Sequence, residues 1–158
     1  MTVKSDFYFE ISTQVIDEAC REKLENLVRR HSDGAVVTFQ GVVRNHNEGK
    51  AVTALSYEAC ESLALNEAEK IFAEAKELFA CTQAACIHRT GHLKIGDTAV
   101  FVCAASPHRK EAFAACHHII DEIKHRLPIW KKETYQDGES AWVNCQNCQT
   151  GAHENHDR

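Results

Sequence analysis

The chain has 158 residues, 44% hydrophobic and 26% charged, with a formal net charge of −5 at pH 7. That size and balance fit one globular domain with a proper core, and they speak against general binding to nucleic acid or anionic membrane. No segment approaches the roughly 18 apolar residues of a membrane span, and the N-terminus, MTVKSDFYFE, lacks a signal-peptide pattern, so a cytoplasmic protein with reduced cysteines is expected.

Asp6 to Ile11 alternates around Phe7, Phe9 and Ile11 and predicts a short strand. Ser12 and Thr13 can cap a helix whose stripe runs from Val15 to about Arg30, with His31 to Gly34 as the breaker. Ala35 to Val43 is β-branched and nearly continuously apolar, which predicts a mostly buried strand. Gly41 inside it suggests a bulge or a close backbone approach. The strand runs out into a polar loop, Arg44 to Lys50, and Ala51 to Glu58 reads as its return strand.

Cys60 to Phe79 predicts a long helix used for packing, with Leu65, Ala68, Ile71, Phe72, Ala75, Leu78 and Phe79 on its buried face. Ala84 to Arg89 is a strand, Gly91 to Asp97 a short connector, and Thr98 to Ala105 a fully apolar central strand. Asp137-Gly138 is a turn and Ala141 to Val143 a short strand. Six cysteines, Cys20, Cys60, Cys81, Cys86, Cys103 and Cys116, lie among apolar residues and read as small core hydrophobes.

The stretch from Ser106 to Glu133 carries the chemistry. Ser106 is a good N-cap and Pro107 suits a first helical turn, while Pro128 stops the helix, which predicts a helix over about 108–126. Its apolar stripe runs through Ala112, Phe113, Cys116, Ile119, Ile120, Ile123 and Leu127. Lys124 falls within roughly 20° of Phe113 on the helical wheel, and Arg109 within roughly 40°. The ordinary explanation for each cation is a side chain snorkelling at the edge of the stripe. Their combination with His108 at a helix start, Arg44 at a strand exit and Lys131 after the helix stop suggests instead a pocket for a small anion. A lysine on an apolar face loses hydration, which suits acid/base or covalent chemistry. His92, His117, His118 and His125 have no comparable context. No Walker loop, GxGxxG or GxSxG occurs, so nucleotide hydrolysis, dinucleotide redox chemistry and α/β-hydrolase chemistry are unsupported. In the last stretch Cys145, Cys148, His153 and His156 are a candidate zinc set, although the histidines are spaced more tightly than in a usual finger.

Several of these segments together resemble a known family. Gly34 to Asn47 (with Phe39, Gly41 and Arg44), Ile87 to Leu93, Ser106 to Arg109 with Ala112-Phe113, Lys124 through Pro128 to Glu133, and Trp142-Val143 are similar, in the same order, to the large, catalytic subunit of molybdopterin synthase, the MoaE family. The match runs from about Phe7 to Val143. The resemblance implies sulfur transfer from the thiocarboxylated C-terminus of a small ubiquitin-like subunit to cyclic pyranopterin monophosphate (precursor Z), forming the molybdopterin dithiolene without a cofactor. It implies a homodimer of this chain inside a heterotetramer. It also implies catalytic roles for Lys124 and Lys131, anion binding by Arg44, His108 and Arg109, and a pocket wall at Phe39. Two features depart from the pattern. Family members often carry an arginine shortly after Trp-Val that reaches the neighbouring subunit, where this chain has Asn144, Cys145 and Gln146; and Ile120 stands where a methionine can occur.

The expected fold is a single α+β domain over residues 1–143. A mostly antiparallel sheet packs with two long helices in a hammerhead-like arrangement, beside a smaller antiparallel sheet. Residues 144–158 form a polar tail expected to be mobile. Two rivals remain at this level. A non-catalytic binding module predicts that Lys124→Ala is silent, and a metal-responsive protein built on the tail predicts stoichiometric zinc.

Overall fold

The computed structural model describes residues 2–4 and 6–144. In chain order the elements are β1 (Thr2–Lys4), β2 (Phe7–Ser12), α1 (Glu18–Val28), β3 (Ala35–Val42), β4 (His46–Asn47), β5 (Lys50–Ala59) and α2 (Glu61–Phe79). There follow β6 (Gln83–Arg89), β7 (Gly91–Lys94), β8 (Thr98–Ser106), α3 (Arg109–Arg126), β9 (Ile129–Tyr135) and β10 (Ser140–Asn144). The first sheet has the order β1-β2-β6-β8-β3 and is antiparallel except for the parallel pair β2–β6. The second is antiparallel throughout, in the order β10-β9-β5-β4, with β7 also paired to β5.

Strands β6 and β8 are buried along their whole length. The reason is that α1 covers one face of the first sheet while α2 and α3 cover the other, so neither face of these strands meets water. The larger core joins Phe9, Ile71, Phe72, Val100 and Val102 to Leu55, Leu93 and Ile129 of the second sheet. Both sheets therefore close over one interior, as an α+β domain requires. No helix of the described residues is long and apolar enough to cross a membrane.

Several sequence expectations need correction. The helix expected from Val15 starts at Glu18, because Asp17, not Ser12 or Thr13, caps it by accepting the Cys20 N–H at 2.9 Å. Ser12 instead accepts the Gln14 N–H in a local turn. Ser106 does not cap α3: it ends β8, with its hydroxyl buried and unpartnered, and Pro107 lies outside the helix, whose N-cap is His108. Strand pairing with Ala35 holds Ser106 extended, and sheet pairing overrides capping propensity there.

Phe113 is 63% exposed and Leu78 62%, so each stripe is narrower than its apolar residues suggest. Strand β3 is not mostly buried. It is the edge of the first sheet and has Phe39 and Val42 exposed. The connector at 91–97 contains β7, and the segment after Pro128 is strand β9. The second sheet has as many strands as the first, though they are shorter in sum. Of the six cysteines, Cys81, Cys86, Cys103 and Cys116 are buried, while Cys20 and Cys60 are half-buried.

Gly41 does allow a close approach. A Cβ there would meet Val100 Cγ1 at 2.7 Å, and the β3–β8 register slips between Gly41 and Val42. Gly34 does the same at the other end of the strand, where a Cβ would lie 2.5 Å from the carbonyl oxygen of Pro107.

Candidate functional site

Where β3 runs out, its last residues face α3 and the inner side of the second sheet. Arg44, Lys124 and Lys131 line one cavity of about 200 Å³ there, together with His46, Asn47, Tyr57 and Glu133. Each cation arrives by a different route. Arg44 follows β3 after one residue, Val43. Lys124 sits in the last turn of α3, where a cation complements the helix dipole. Lys131 lies on β9, directly opposite Tyr57 of β5. The alternation of β9 puts Ile129, Lys131, Glu133 and Tyr135 on the inner face and leaves Trp130 exposed on the outer one.

Glu133 organises this face. It is 2% exposed, and its carboxylate accepts from Asn47 Nδ2 at 2.9 and 3.1 Å and from the Tyr135 hydroxyl at 2.9 Å. It also pairs with Lys131 Nζ at 3.1 Å. Burial alone pushes the carboxyl up, but the contacts from Asn47, Tyr135 and Lys131 outweigh it and hold the group below its ordinary value. Glu133 is thus an anion that keeps Lys131 in place. Among the described residues no carboxylate lies within ion-pair distance of Lys124.

Beneath Tyr57 lies His88, with ring centroids 5.2 Å apart in edge contact. Its Nδ1 is 2.7 Å from the Arg89 carbonyl oxygen, which can only accept, so Nδ1 carries the proton. Burial, and then the charge of Lys124, push this imidazole down to about 4. It is therefore neutral at pH 7 and adds no further charge beneath the cavity.

A second cleft of about 490 Å³ adjoins the first at Lys124. Val37, Phe39, Phe113, Cys116 and Ile120 make it mostly apolar. The site thus offers two lysines and an arginine around a polar end, with an apolar slot beside it. That pattern suits a substrate with an anionic group and a flat ring or an acyl tail. A separate cavity of about 390 Å³ between β2 and α1, lined by Tyr8, Glu10 and Cys20 among others, contains none of these cations.

The structure brings together Arg44, Lys124 and Lys131, and places Phe39 beside Lys124. It does not bring His108 and Arg109 to the same point. Both are exposed at the start of α3, and at 1.5 Å per residue Arg109 lies about 22 Å along the helix from Lys124. One small anion cannot touch both ends. Cys145, Cys148, His153 and His156 lie outside the described residues, and among the described residues no group of three or more His, Cys, Asp or Glu could hold a metal. Sequence reasoning does not single out Asn47, Tyr57, His88 or Glu133. The signal for Glu133 is the period-2 run Lys131, Glu133, Tyr135, which becomes legible only once the segment after Pro128 is taken as a strand.

Residues 14–126 match the family described as MoaE protein. The chain is 43% identical over 129 residues to a molybdopterin synthase catalytic subunit of Nostoc sp., which covers 81% of this chain and 78% of the relative. Its fold is similar to the crystal structure of molybdopterin synthase from Staphylococcus aureus, with a TM-score of 0.76 and 38% identity over 85% of this chain and 96% of that one. It is also similar to a chain in a complex of subunits 1 and 2 of molybdopterin-converting factor from Helicobacter pylori, with a TM-score of 0.67 and 23% identity over 87% and 89% of the two chains.

Proposed function

The chain belongs to the MoaE family of molybdopterin synthase catalytic subunits, and we propose that its lysine-lined cavity is where sulfur reaches cyclic pyranopterin monophosphate. The protein is a sulfur-transferring enzyme of molybdenum cofactor biosynthesis. The observation that carries the site assignment is the convergence of Arg44, Lys124 and Lys131 on one cavity from three separate elements.

The sulfur comes from the C-terminal thiocarboxylate of a small ubiquitin-like subunit. The two-subunit complex from Helicobacter pylori supports such a partner. Lys124 is the principal catalytic residue and assists proton transfer as sulfur adds. Among the described residues it has no carboxylate partner, which leaves its ammonium available to the reacting groups. Lys131, fixed by Glu133, neutralises the thiocarboxylate or the substrate phosphate, and Arg44 holds the anion from the third side. Phe39 walls the apolar slot, which keeps water from the thiocarboxylate.

We assign His108 and Arg109 to anion binding at the opposite end of α3, where a homodimer within a heterotetramer could bring them to the site of a neighbouring copy. The exposed apolar side chains of Phe39, Val42 and Phe113 support association on the face that holds the two clefts. The reaction belongs to residues 1–143 and to the cytoplasm, in keeping with the free cysteines among the described residues.

The test is reconstitution of the purified chain with a thiocarboxylated small subunit and precursor Z, scored for molybdopterin. Wild type forms product, and Lys124→Ala lowers the rate about 100-fold or more while leaving the complex intact. Equal product from both proteins would remove Lys124 from the mechanism. No product from wild type beside a competent control enzyme would favour a binding module.

A further inference from the structure

Strand β3 loses its sheet partner just before the site. Its pairing with β8 ends at Val42 opposite Thr98, after the slip at Gly41. Val43 is buried, yet it has no place in that ladder, and its backbone groups need other partners. The turn between β7 and β8 supplies both. The Val43 N–H donates to the Asp97 carbonyl oxygen at 2.9 Å, and the Gly96 N–H donates to the Val43 carbonyl oxygen at 2.9 Å. Arg44 is the next residue. Its direction therefore depends on where the 94–97 turn sits.

The turn is itself held by a side-chain pair. Asp97 Oδ2 accepts the Lys94 N–H at 2.9 Å, closing the turn, and it accepts Arg89 Nη1 at 3.1 Å. Arg89 ends β6, is 5% exposed, and sends Nη2 to the His92 carbonyl oxygen at 3.4 Å. Its Nε is buried with no hydrogen-bond partner. A buried guanidinium that leaves one donor unsatisfied is costly to keep, and here it ties the first sheet to the turn that grips Val43. Neither Arg89 nor Asp97 lines the cavity.

We propose that Arg89 and Asp97 are positioning residues for the reaction: through the 94–97 turn they clamp Val43 and so aim Arg44 at the substrate's anionic group. This rests on the assignment of Arg44 as an anion holder. Neither member of the pair reaches the cavity itself, so Asp97→Asn, which keeps the shape and removes the charge, raises the KM for precursor Z on the order of tenfold with kcat little changed.

The experiment is a double-mutant cycle in the reconstituted complex with Arg44→Ala, Asp97→Asn and the pair. It is read together with amide hydrogen exchange at Val43 and Gly96 in the free chain. The expected result has four parts. Arg44→Ala raises KM; Asp97→Asn raises it in the wild-type background but adds nothing in the Arg44→Ala background; exchange at Val43 and Gly96 speeds up in Asp97→Asn; and Arg89→Lys, which keeps the charge, raises KM much less than Arg89→Ala does. Equal effects of Asp97→Asn in both backgrounds, or unchanged exchange at Val43 and Gly96, overturn the clamp. If Arg44→Ala leaves KM unaltered, the anion-holding role of Arg44 is what fails. The exchange data then still decide whether Arg89 and Asp97 hold Val43.

Discussion

Glu133 shows how much of this site is decided by a side chain that acts through its neighbour. A carboxylate 2% exposed is tolerable only because three donors face it, and one of them is Lys131. Replacing it with glutamine keeps the volume and the chance of bonding Asn47, but it removes the Glu133 charge from beside the Lys131 ammonium. Loss of one charge-assisted bond of about 1.4 kcal/mol corresponds to roughly tenfold in rate. The expected outcome for Glu133→Gln is a fall in kcat of about that size in the reconstituted assay, with the small subunit still bound. An unchanged kcat would show that Lys131 needs no fixing. The sequence makes Lys124, Lys131 and Arg44 legible because a cation among apolar residues stands out. It hides Glu133 and His88, because nothing in a linear pattern says that a glutamate on a strand is buried or that a histidine is neutral.

Between elements, the contact of α2 with α3 is the most charged. Arg126, in the last turn of α3, reaches Glu74 at 2.7 Å and Glu67 at 3.2 Å on α2, and Glu122 at 3.3 Å on its own helix. Arg126, with help from His118, holds the Glu74 carboxyl below its ordinary value. A carboxyl depressed in the folded state stabilises the fold above the unfolded value of about 4.3 and loses that contribution as pH falls through the lower, folded value. Arg126→Met keeps the packing of the stem and removes the charge. Its melting temperature should lie a few degrees below wild type at pH 7, and the gap should narrow below about pH 4. Thermal denaturation across that range checks this, and a gap independent of pH would mean that the network contributes through packing alone.

At this scale the sequence reads well where one rule acts by itself. The long helices at 61–79 and 109–126, the apolar strand β8 and the slip at Gly41 follow from periodicity and from glycine. It misreads β3, whose apolar run predicts burial although the strand is a sheet edge, and β9, because a strand entered straight from Pro128 gives no turn signal. Tertiary context decides both.

Over the whole molecule, two sheets and two long helices close on one interior in which Phe72 stacks on Phe7 at 5.3 Å and meets Phe9 edge-on at 6.4 Å. That interior also contains Cys81, Cys86 and Cys116, with Cys103 on the α1 side of the first sheet. Burial pushes the thiols of Cys81, Cys103 and Cys116 up to about 12, and that of Cys86 well above the ordinary range. In the native state they are neither exposed nor ionised, whereas the half-buried Cys20 and Cys60 are open to partial access. The chain therefore contains its own clock for breathing. A maleimide reagent should modify Cys60 first and then Cys20, whose thiol burial pushes up, and the four interior thiols only as fast as the domain opens. The slow phase, followed by peptide mass spectrometry against denaturant, then reads the free energy of opening with no probe attached. Labelling of Cys86 at the rate of Cys60 would mean that the two layers part far more often than so continuous a core allows.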